Sequence, residues 1–316
     1  MPRTAHRKVH SWRMRLWAGL CCVLMLLSLM PGARADLGQY LEPDRLTTLT
    51  IRYHTPGTVF RVYRVADVDA SVAFTLLSPF DGYHIDLRRD MTSTEWQALA
   101  DTLTSYAAAD GVSPMAVKQI DVDGAISLTG LQPGLYLVVG QGYDEGEDIY
   151  TMTPTLISLP NYREDGWWQY DVEISPKWSV RPIQREDLQV VKIWRDAGSG
   201  VSRPETVTME LYCDGVLYDA VQLSRENNWR HTWTGLDSRH TWNVVERGVS
   251  SPYQVSISRQ GTTVTVTNAV YTSHPSTTPV PDLPQTGQTW WPVPVLAAAG
   301  MLLFIGGWLK QRQDER

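Results

Sequence analysis

Short stretches of alternating apolar and polar residues, each bounded by turn residues, recur along most of the chain. A period of two places the apolar side chains on one face of a β-strand. In the first half, stretches of this kind that are rich in β-branched and aromatic residues predict strands over residues 46–53, 58–65, 135–139, 151–159 and 167–174. The chain is therefore predicted to be mostly β.

The second half carries similar, shorter stretches. Between residues 186 and 270 they are separated by Asp-Gly, Gly-Leu and Gln-Gly pairs, which favour tight turns. Short strands with turns between them are typical of a β-sandwich. We expect an all-β fold of two sandwiches in tandem, one over residues 46–178 and one over residues 186–270.

One helical segment interrupts the first half. Thr92 and Glu95 have the spacing of a capping box, and Gly111 lies where the helix would end. Between them, apolar residues at helical spacing form one stripe, which consists of Trp96, Leu99, Leu103 and Tyr106. This segment is predicted to be a helix inserted into the first sandwich and packed on a sheet.

The N-terminus has the three parts of an export signal. Basic residues precede an apolar core over residues 16–30, and Ala33-Arg34-Ala35 supplies small residues for cleavage. Residues 1–35 are therefore predicted to be a signal peptide, cleaved between Ala35 and Asp36. A retained N-terminal anchor is the alternative.

The C-terminus combines a pentapeptide, an apolar span and a basic tail. After a spacer rich in Pro, Ser and Thr over residues 271–282, the chain reads Leu283-Pro284-Gln285-Thr286-Gly287. Residues 290–309 are long and apolar enough to cross a bilayer as a helix, and the cations after them would stay on the cytoplasmic side.

This arrangement over residues 283–316 resembles the sorting signal of Gram-positive wall-anchored proteins. The resemblance implies that a sortase cleaves between Thr286 and Gly287. The enzyme would then join the new carboxyl group to an amine of a peptidoglycan precursor, or to a lysine of another pilin subunit. A permanent membrane helix that follows a chance pentapeptide is the alternative.

Removal of both ends changes the charge of the chain. The 28 basic and 34 acidic residues of the precursor would become 19 and 32, a formal charge of −13. Such a charge argues against nucleic acid as a partner. Of the three cysteines only Cys213 would remain, so the mature chain could form no internal disulfide. Its parity with Met209 and Leu211 predicts a core position, with a reactive thiol as the alternative.

Lysine is scarce in the mature region, where it occurs at positions 118, 177 and 192. Residues 60–67 and 130–137 resemble the N-terminal module of pilins and Cna B-type surface proteins. Residues 168–177 resemble the pilin motif of shaft pilins, which implies that Lys177 is the amine that sortase links to the next subunit.

Two residues depart from that motif. Ser175 stands where the family usually has an aromatic residue, and Trp178 stands where it usually has an asparagine. An ordinary linker lysine is therefore the alternative for Lys177. The lysine of the family's first strand is also replaced, by Arg52, so we expect no intramolecular isopeptide bond in the first sandwich.

Several blocks of the second half resemble the Cna B-type domain, and they occur in the family's order. They are residues 190–194, 203–208, 223–229, 233–236, 244–246 and 264–268. The resemblance implies a reversed immunoglobulin-like β-sandwich. It also implies an isopeptide bond that the domain makes between a lysine and an asparagine with the help of a glutamate.

Lys192, Glu246 and Asn268 occupy the matching positions. Strand alternation places all three on the inner faces of their strands, where an isolated charge would be very costly. Burial favours the uncharged forms of amine and carboxyl. A neutral Lys192 could then attack the side-chain amide of Asn268, with Glu246 as the acid–base group. An ordinary buried ion pair with a hydrogen-bonded asparagine is the alternative.

The remaining residues favour no turnover enzyme. The histidines show no metal-ligand spacing, and nucleotide-binding loops and serine nucleophile motifs are absent from the sequence. We therefore predict neither a metal site nor a cofactor. The acidic residues between positions 144 and 148 are interpreted as a solvated loop, with calcium binding as the alternative.

The leading hypothesis is a secreted structural protein, covalently anchored to the cell wall after a passage through the plasma membrane. It would be a pilin subunit or an adhesin. Its partners would be sortase, a peptidoglycan precursor, other pilin subunits and a host or neighbouring-cell ligand. The alternatives are a monomeric ligand-binding adhesin and a wall-associated enzyme.

Overall fold

A computed structural model describes residues 41–85, 87, 91–163 and 166–270. Within these ranges β-strands dominate, as the alternation predicts. The predicted signal peptide, spacer and sorting segment lie outside the described residues. In the described part of the chain no helix is long and apolar enough to cross a membrane.

Two sheets stack face to face in the first half of the chain. Their strands are β1 (Thr47–Arg52), β2 (Val59–Val68), β3 (Phe74–Leu76), β4 (Ala116–Gln119), β5 (Ala125–Leu131), β6 (Gly134–Gly140), β9 (Thr155–Leu159) and β12 (Asp171–Ile174). The smaller sheet has the order β12-β1-β5 and the larger the order β3-β2-β6-β9, with β4 also paired to β2. The first and last of them, β1 and β12, run parallel. Apolar side chains such as Ile51 and Phe60 fill the space between the sheets.

Smaller sheets complete this half. They contain β7 (Tyr143–Glu145), β8 (Asp148–Met152), β10 (Asn161–Tyr162), β11 (Trp168–Gln169) and β13 (Trp178–Pro182). The acidic segment is therefore a hairpin of β7 and β8 rather than a loop, and Gly146 adopts the positive φ of 65° at its turn. The strand predicted over residues 151–159 is divided between β8 and β9, because Pro154 has no N–H to donate to a ladder.

The second half is a separate pair of sheets. Their strands are β14 (Arg185–Arg195), β15 (Thr206–Cys213), β16 (Val216–Ser224), β17 (Arg230–Asp237), β18 (Trp242–Arg247), β19 (Gln254–Gln260) and β20 (Thr263–Ala269). One sheet has the order β17-β14-β20-β19 and the other the order β16-β15-β18. Here too the first and last strands, β14 and β20, run parallel. These sheets confirm the predicted fold of two tandem sandwiches.

The inserted helix, α1 (Ser93–Ala109), begins as predicted, shortly after a single 3-10 turn (Phe80–Gly82). The N–H of Glu95 donates to the Thr92 hydroxyl, and the N–H of Thr92 donates to the Glu95 carboxylate. Leu99, Leu103 and Tyr106 of the predicted stripe are buried.

The prediction did not specify which strands α1 packs on. The helix touches β6 and β9, but it packs more extensively on β18 and β19, the edge strands of the two sheets of the second sandwich. Two buried alanines beside the stripe, Ala100 and Ala107, widen the apolar face of the helix, so that it packs against both halves of the chain. A single apolar core therefore extends from β2 through α1 into the second sandwich.

Candidate functional site

Three polar side chains meet in the core of the second sandwich. Lys192 lies on β14 and Asn268 on the adjacent parallel strand β20, while Glu246 lies on β18 of the facing sheet. In the register of β14 and β20, Lys192 is opposite Val266 and Trp194 is opposite Asn268. Lys192 and Asn268 are thus diagonal neighbours on one face. The structure brings together the three residues that strand alternation directs inward.

The Glu246 carboxylate lies between the other two groups. Its Oε2 is 3.2 Å from Nζ of Lys192, and its Oε1 accepts a hydrogen bond of 2.8 Å from Nδ2 of Asn268. The Lys192 and Glu246 side chains are only 0% and 2% exposed. An amine, a carboxyl group and an amide are therefore held in contact away from bulk water.

Burial controls the charge of the amine. It lowers the pKa of Lys192 to about 8, against the opposing effect of the nearby Glu246 carboxylate. At pH 7 about a tenth of such an amine is uncharged. The indole ring of Trp194, whose centroid is 4.4 Å from Nζ, covers the amine. The site thus holds a lysine that can act as a nucleophile near neutral pH.

The amide of Asn268 is incompletely satisfied. Its Oδ1 is buried and has no hydrogen-bond partner within the described structure. An unpaired buried carbonyl costs about 1–3 kcal/mol. Rotation of the amide by half a turn would bring Oδ1 to the Glu246 carboxyl group, where it could accept a hydrogen bond from the O–H of the protonated form. The cluster therefore lacks the full pairing expected of a purely structural network.

Helix α1 supports the strand that carries the glutamate. The Tyr106 hydroxyl donates a hydrogen bond of 2.8 Å to the backbone carbonyl of Glu246. At the next residue, Arg247 forms ion pairs with Asp110 and Glu210 at 2.8 and 2.7 Å. Sequence reasoning missed these contacts, because 140 residues separate Tyr106 from Glu246.

Lys177 lies apart from this cluster, between β12 and β13, and is exposed. Its backbone carbonyl accepts a hydrogen bond of 2.8 Å from the N–H of Thr153, while the preceding Pro176 is buried. Next to it is a groove of about 570 Å³, whose lining includes His54, Pro176 and Trp178. The lysine thus stands on a fixed backbone beside an aromatic surface.

Arg52, at the position comparable to the first-strand lysine of the family, is exposed on β1. Its Nε pairs with Glu173 of β12 at 2.7 Å, and both side chains are more than half exposed. This surface pair has none of the burial that makes Lys192 a potential nucleophile.

Cys213 packs against the core, as predicted, but it is only half-buried. A register shift between Leu211 and Tyr212 interrupts the alternation of β15 immediately before it. The thiol also lies near Asp214 and His240, and one ligand atom from each of the three residues lies within 4.8 Å of the other two. Spacing along the sequence predicted no metal site, because His240 lies 26 residues from Asp214.

The family model described as the Cna protein B-type domain matches residues 188–269. This range contains Lys192, Glu246 and Asn268. Among curated proteins, the collagen adhesin of Staphylococcus aureus is 33% identical over 102 residues. The matched segment covers 31% of this chain and 8% of that adhesin, so the chain spans a small part of its relative.

Several solved structures are similar to the chain. Two B repeat units of the collagen-binding protein of Staphylococcus aureus share 15% identity over 74% of this chain and 51% of theirs, with a TM-score of 0.26. The SpaA pilin of Corynebacterium diphtheriae, in a complex with a signal peptide, shares 21% identity over 42% and 95%, with a TM-score of 0.29. The T6 backbone pilin of Streptococcus pyogenes shares 10% identity over 72% and 64%, with a TM-score of 0.32.

Proposed function

We propose that this chain is a structural surface protein of a Gram-positive cell wall, a pilin subunit or an adhesin, that strengthens itself with an internal isopeptide bond. The observation that carries the proposal is the buried cluster of Lys192, Glu246 and Asn268 within the segment that matches the Cna B-type domain. An adhesin would bind a host or neighbouring-cell ligand.

The bond would form between Nζ of Lys192 and the side-chain carbonyl carbon of Asn268. The uncharged amine attacks that carbon, while protonated Glu246 donates a hydrogen bond to the carbonyl oxygen and stabilises the charge that develops there. The contact of 2.8 Å between Glu246 and the Asn268 amide supports this role, because rotation of the amide would turn its carbonyl oxygen towards the carboxyl group.

The reaction is balanced without any other reagent. A new C–N bond forms to Nζ and the bond from carbon to Nδ2 breaks. Glu246 delivers its proton to the departing nitrogen and takes one from the attacking amine, so ammonia leaves and the carboxyl group is regenerated. The product is one amide bond between β14 and β20.

The intact mass of the purified chain tests this reaction. The wild-type protein should weigh one ammonia less than its sequence, and Glu246→Ala should have the full sequence mass. Glu186→Ala is the matched control, because Glu186 is also buried and ion-paired, through Arg181, but lies outside the cluster. It should still lose ammonia. A folded wild-type protein at full mass would refute the bond.

The second part of the proposal is attachment to the wall. Sortase would cleave between Thr286 and Gly287 and join Thr286 to a peptidoglycan precursor. The support is the order of pentapeptide, apolar span and basic tail in the sequence. Thr286→Ala should stay in the membrane fraction, while Gln285→Ala, which changes the variable position of the motif, should still reach the wall. Wall attachment of Thr286→Ala would contradict the proposal.

The alternative of a wall-associated enzyme is tested by a separate experiment. The purified chain would be incubated with wall glycans and peptides, and turnover would be measured by mass spectrometry. Repeated product release by the wild-type protein would favour the enzyme. We expect none, because the proposed reaction consumes its own side chains and occurs once per molecule.

A further inference from the structure

We propose that Cys213, Asp214 and His240 form a zinc site at one end of the second sandwich. The three donors are a sulfur, a carboxylate oxygen and an imidazole nitrogen, a combination that suits Zn²⁺. Nothing in the proposed anchoring or isopeptide chemistry uses these residues.

Two turns bring the donors together. Asp214 and Gly215 form the tight turn between β15 and β16, with φ values of 51° and 83°. His240 belongs to the loop between β17 and β18, and Cys213 pairs with Trp242 at the start of β18. The site is therefore built on the ends of paired strands, which fix the positions of the backbone.

The carboxylate is already oriented. The N–H of Asp214 donates to the carbonyl of Thr241 at 2.9 Å, and Oδ1 of Asp214 accepts from the N–H of Thr241 at 2.8 Å. The remaining oxygen, Oδ2, lies 2.7 Å from Nδ1 of His240. Since Oδ1 is held by the backbone, Oδ2 is directed at the imidazole and at the space beside the thiol.

The distances fit a small cation after modest adjustment. Sulfur, nitrogen and oxygen bind Zn²⁺ at about 2.0–2.3 Å, so neighbouring ligands in a tetrahedral site are about 3.5 Å apart. The ligand atoms here lie within 4.8 Å of one another, and Nδ1 of His240 is 2.7 Å from Oδ2 of Asp214. Movements of about 1 Å would enclose the ion. The fourth position would hold water, because Asp214 and His240 are about half exposed.

The surrounding charges favour a cation. The carboxylates of Asp214 and Asp237 place negative charge around the Cys213 sulfur, and a bound dication would offset it. Gly215 also lies close to the C-terminal end of α1, since a Cβ there would be 3.1 Å from the carbonyl oxygen of Ala108. Helix C-termini carry partial negative charge.

Cobalt and zinc binding to the full chain test the site. The reduced, metal-free protein is titrated with Co²⁺ alone and then with Zn²⁺. One equivalent of Co²⁺ should produce a thiolate-to-cobalt charge-transfer band that Zn²⁺ removes. Cys213→Ser should lose the band, and His240→Ala should weaken binding by about tenfold or more. His231→Ala, a histidine distant from the trio along β17, is the matched control and should behave as the wild type.

Alkylation supplies an independent readout. Saturating Zn²⁺ should slow the labelling of Cys213, measured on its own peptide by mass spectrometry, in the wild type and not in His240→Ala. Thermal melting checks that each variant is folded. Either an unchanged cobalt band in Cys213→Ser or unchanged labelling of Cys213 would overturn the proposal. A disulfide-linked dimer through Cys213 would also overturn it. None of these results depends on wall attachment or on the isopeptide bond.

Discussion

At the scale of single residues, environment sets the chemistry. Lys192 and Lys177 have the same side chain, yet one is buried beside a carboxylate and the other is exposed at the start of a strand. Alternation was enough to predict the inward direction of Lys192, because the inner face of a regular strand follows from its period. For Cys213 it predicted the contact with the core but not the partial exposure of the side chain, because a register shift just before this residue cannot be recognised in the apolar pattern.

The pKa of Lys192 leads to a prediction about rate. Only the uncharged amine can attack, and burial lowers its pKa to about 8. In protein refolded from denaturant, the rate of ammonia loss should therefore rise about tenfold per pH unit below that value and level off above it. Quenched samples analysed by intact mass give the rate. If the rate did not change with pH between about 6 and 9, this role for the amine would be contradicted.

A second prediction concerns Asp196, at the end of β14. Hydrogen bonds and charge from Arg203, aided by the Tyr253 hydroxyl, lower the pKa of Asp196 to about 2. Because the folded-state pKa lies below the unfolded value of about 3.9, the stabilisation is present above pH 4 and is lost as the pH falls towards 2. Asp196→Asn should remove this part of the acid dependence, as measured by urea unfolding between pH 5 and pH 2. Asp171→Asn, on the exposed face of β12, should leave it intact.

At the scale of elements, the packing of α1 was the hardest feature to predict from the sequence. The ends and apolar stripe of this helix were predictable, because capping and periodicity are local. Its main packing surface was not, since β18 and β19 belong to different sheets and lie side by side only in the folded second sandwich. The same limit explains why the pairing of Tyr106 with Glu246 and the approach of Cys213 to His240 had no signal in the sequence.

The packing of α1 predicts that one change will weaken both halves. Leu103 is fully buried in the shared core, so Leu103→Ala should lower the free energy of unfolding by about 2–5 kcal/mol. Hydrogen exchange should show faster opening in β6 and in β19 together. Leu217→Ala, at a leucine that is 52% exposed, should cost far less. Unchanged exchange in β19 would mean that α1 does not stabilise the second sandwich.

At the scale of the whole molecule, Lys177 is the proposed point of assembly. If sortase joins Thr286 of one copy to Lys177 of the next, Lys177→Arg should abolish the detergent-resistant ladder of polymers, because a guanidinium is not a nucleophile at accessible pH. The monomer should remain folded and attached to the wall. Lys118→Arg, at the other exposed lysine of the first half, is the control and should keep the ladder. If the ladder persisted in Lys177→Arg and vanished in Lys118→Arg, the acceptor would be Lys118. If the wild type formed no ladder, a monomeric adhesin would be favoured.

The parallel pairing of first and last strands has a mechanical consequence. A force that stretches the chain between its ends would load β1 against β12, and β14 against β20, in shear, so that all the hydrogen bonds of each pair resist at once. With the proposed bond in place, tension in the second sandwich would pass directly from Lys192 to Asn268, and residues 193–267 would carry none of it.

Besides the backbone ladder, the corresponding strands of the first sandwich are joined by the exposed ion pair of Arg52 and Glu173, which is not covalent. This sandwich would yield first and release up to about 400 Å of extended chain from residues 47–174. Because α1 lies in that released segment, the same extension would pull the helix away from β18 and β19. Under load the first half of the protein would then unfold and lengthen, while the second half would keep its length.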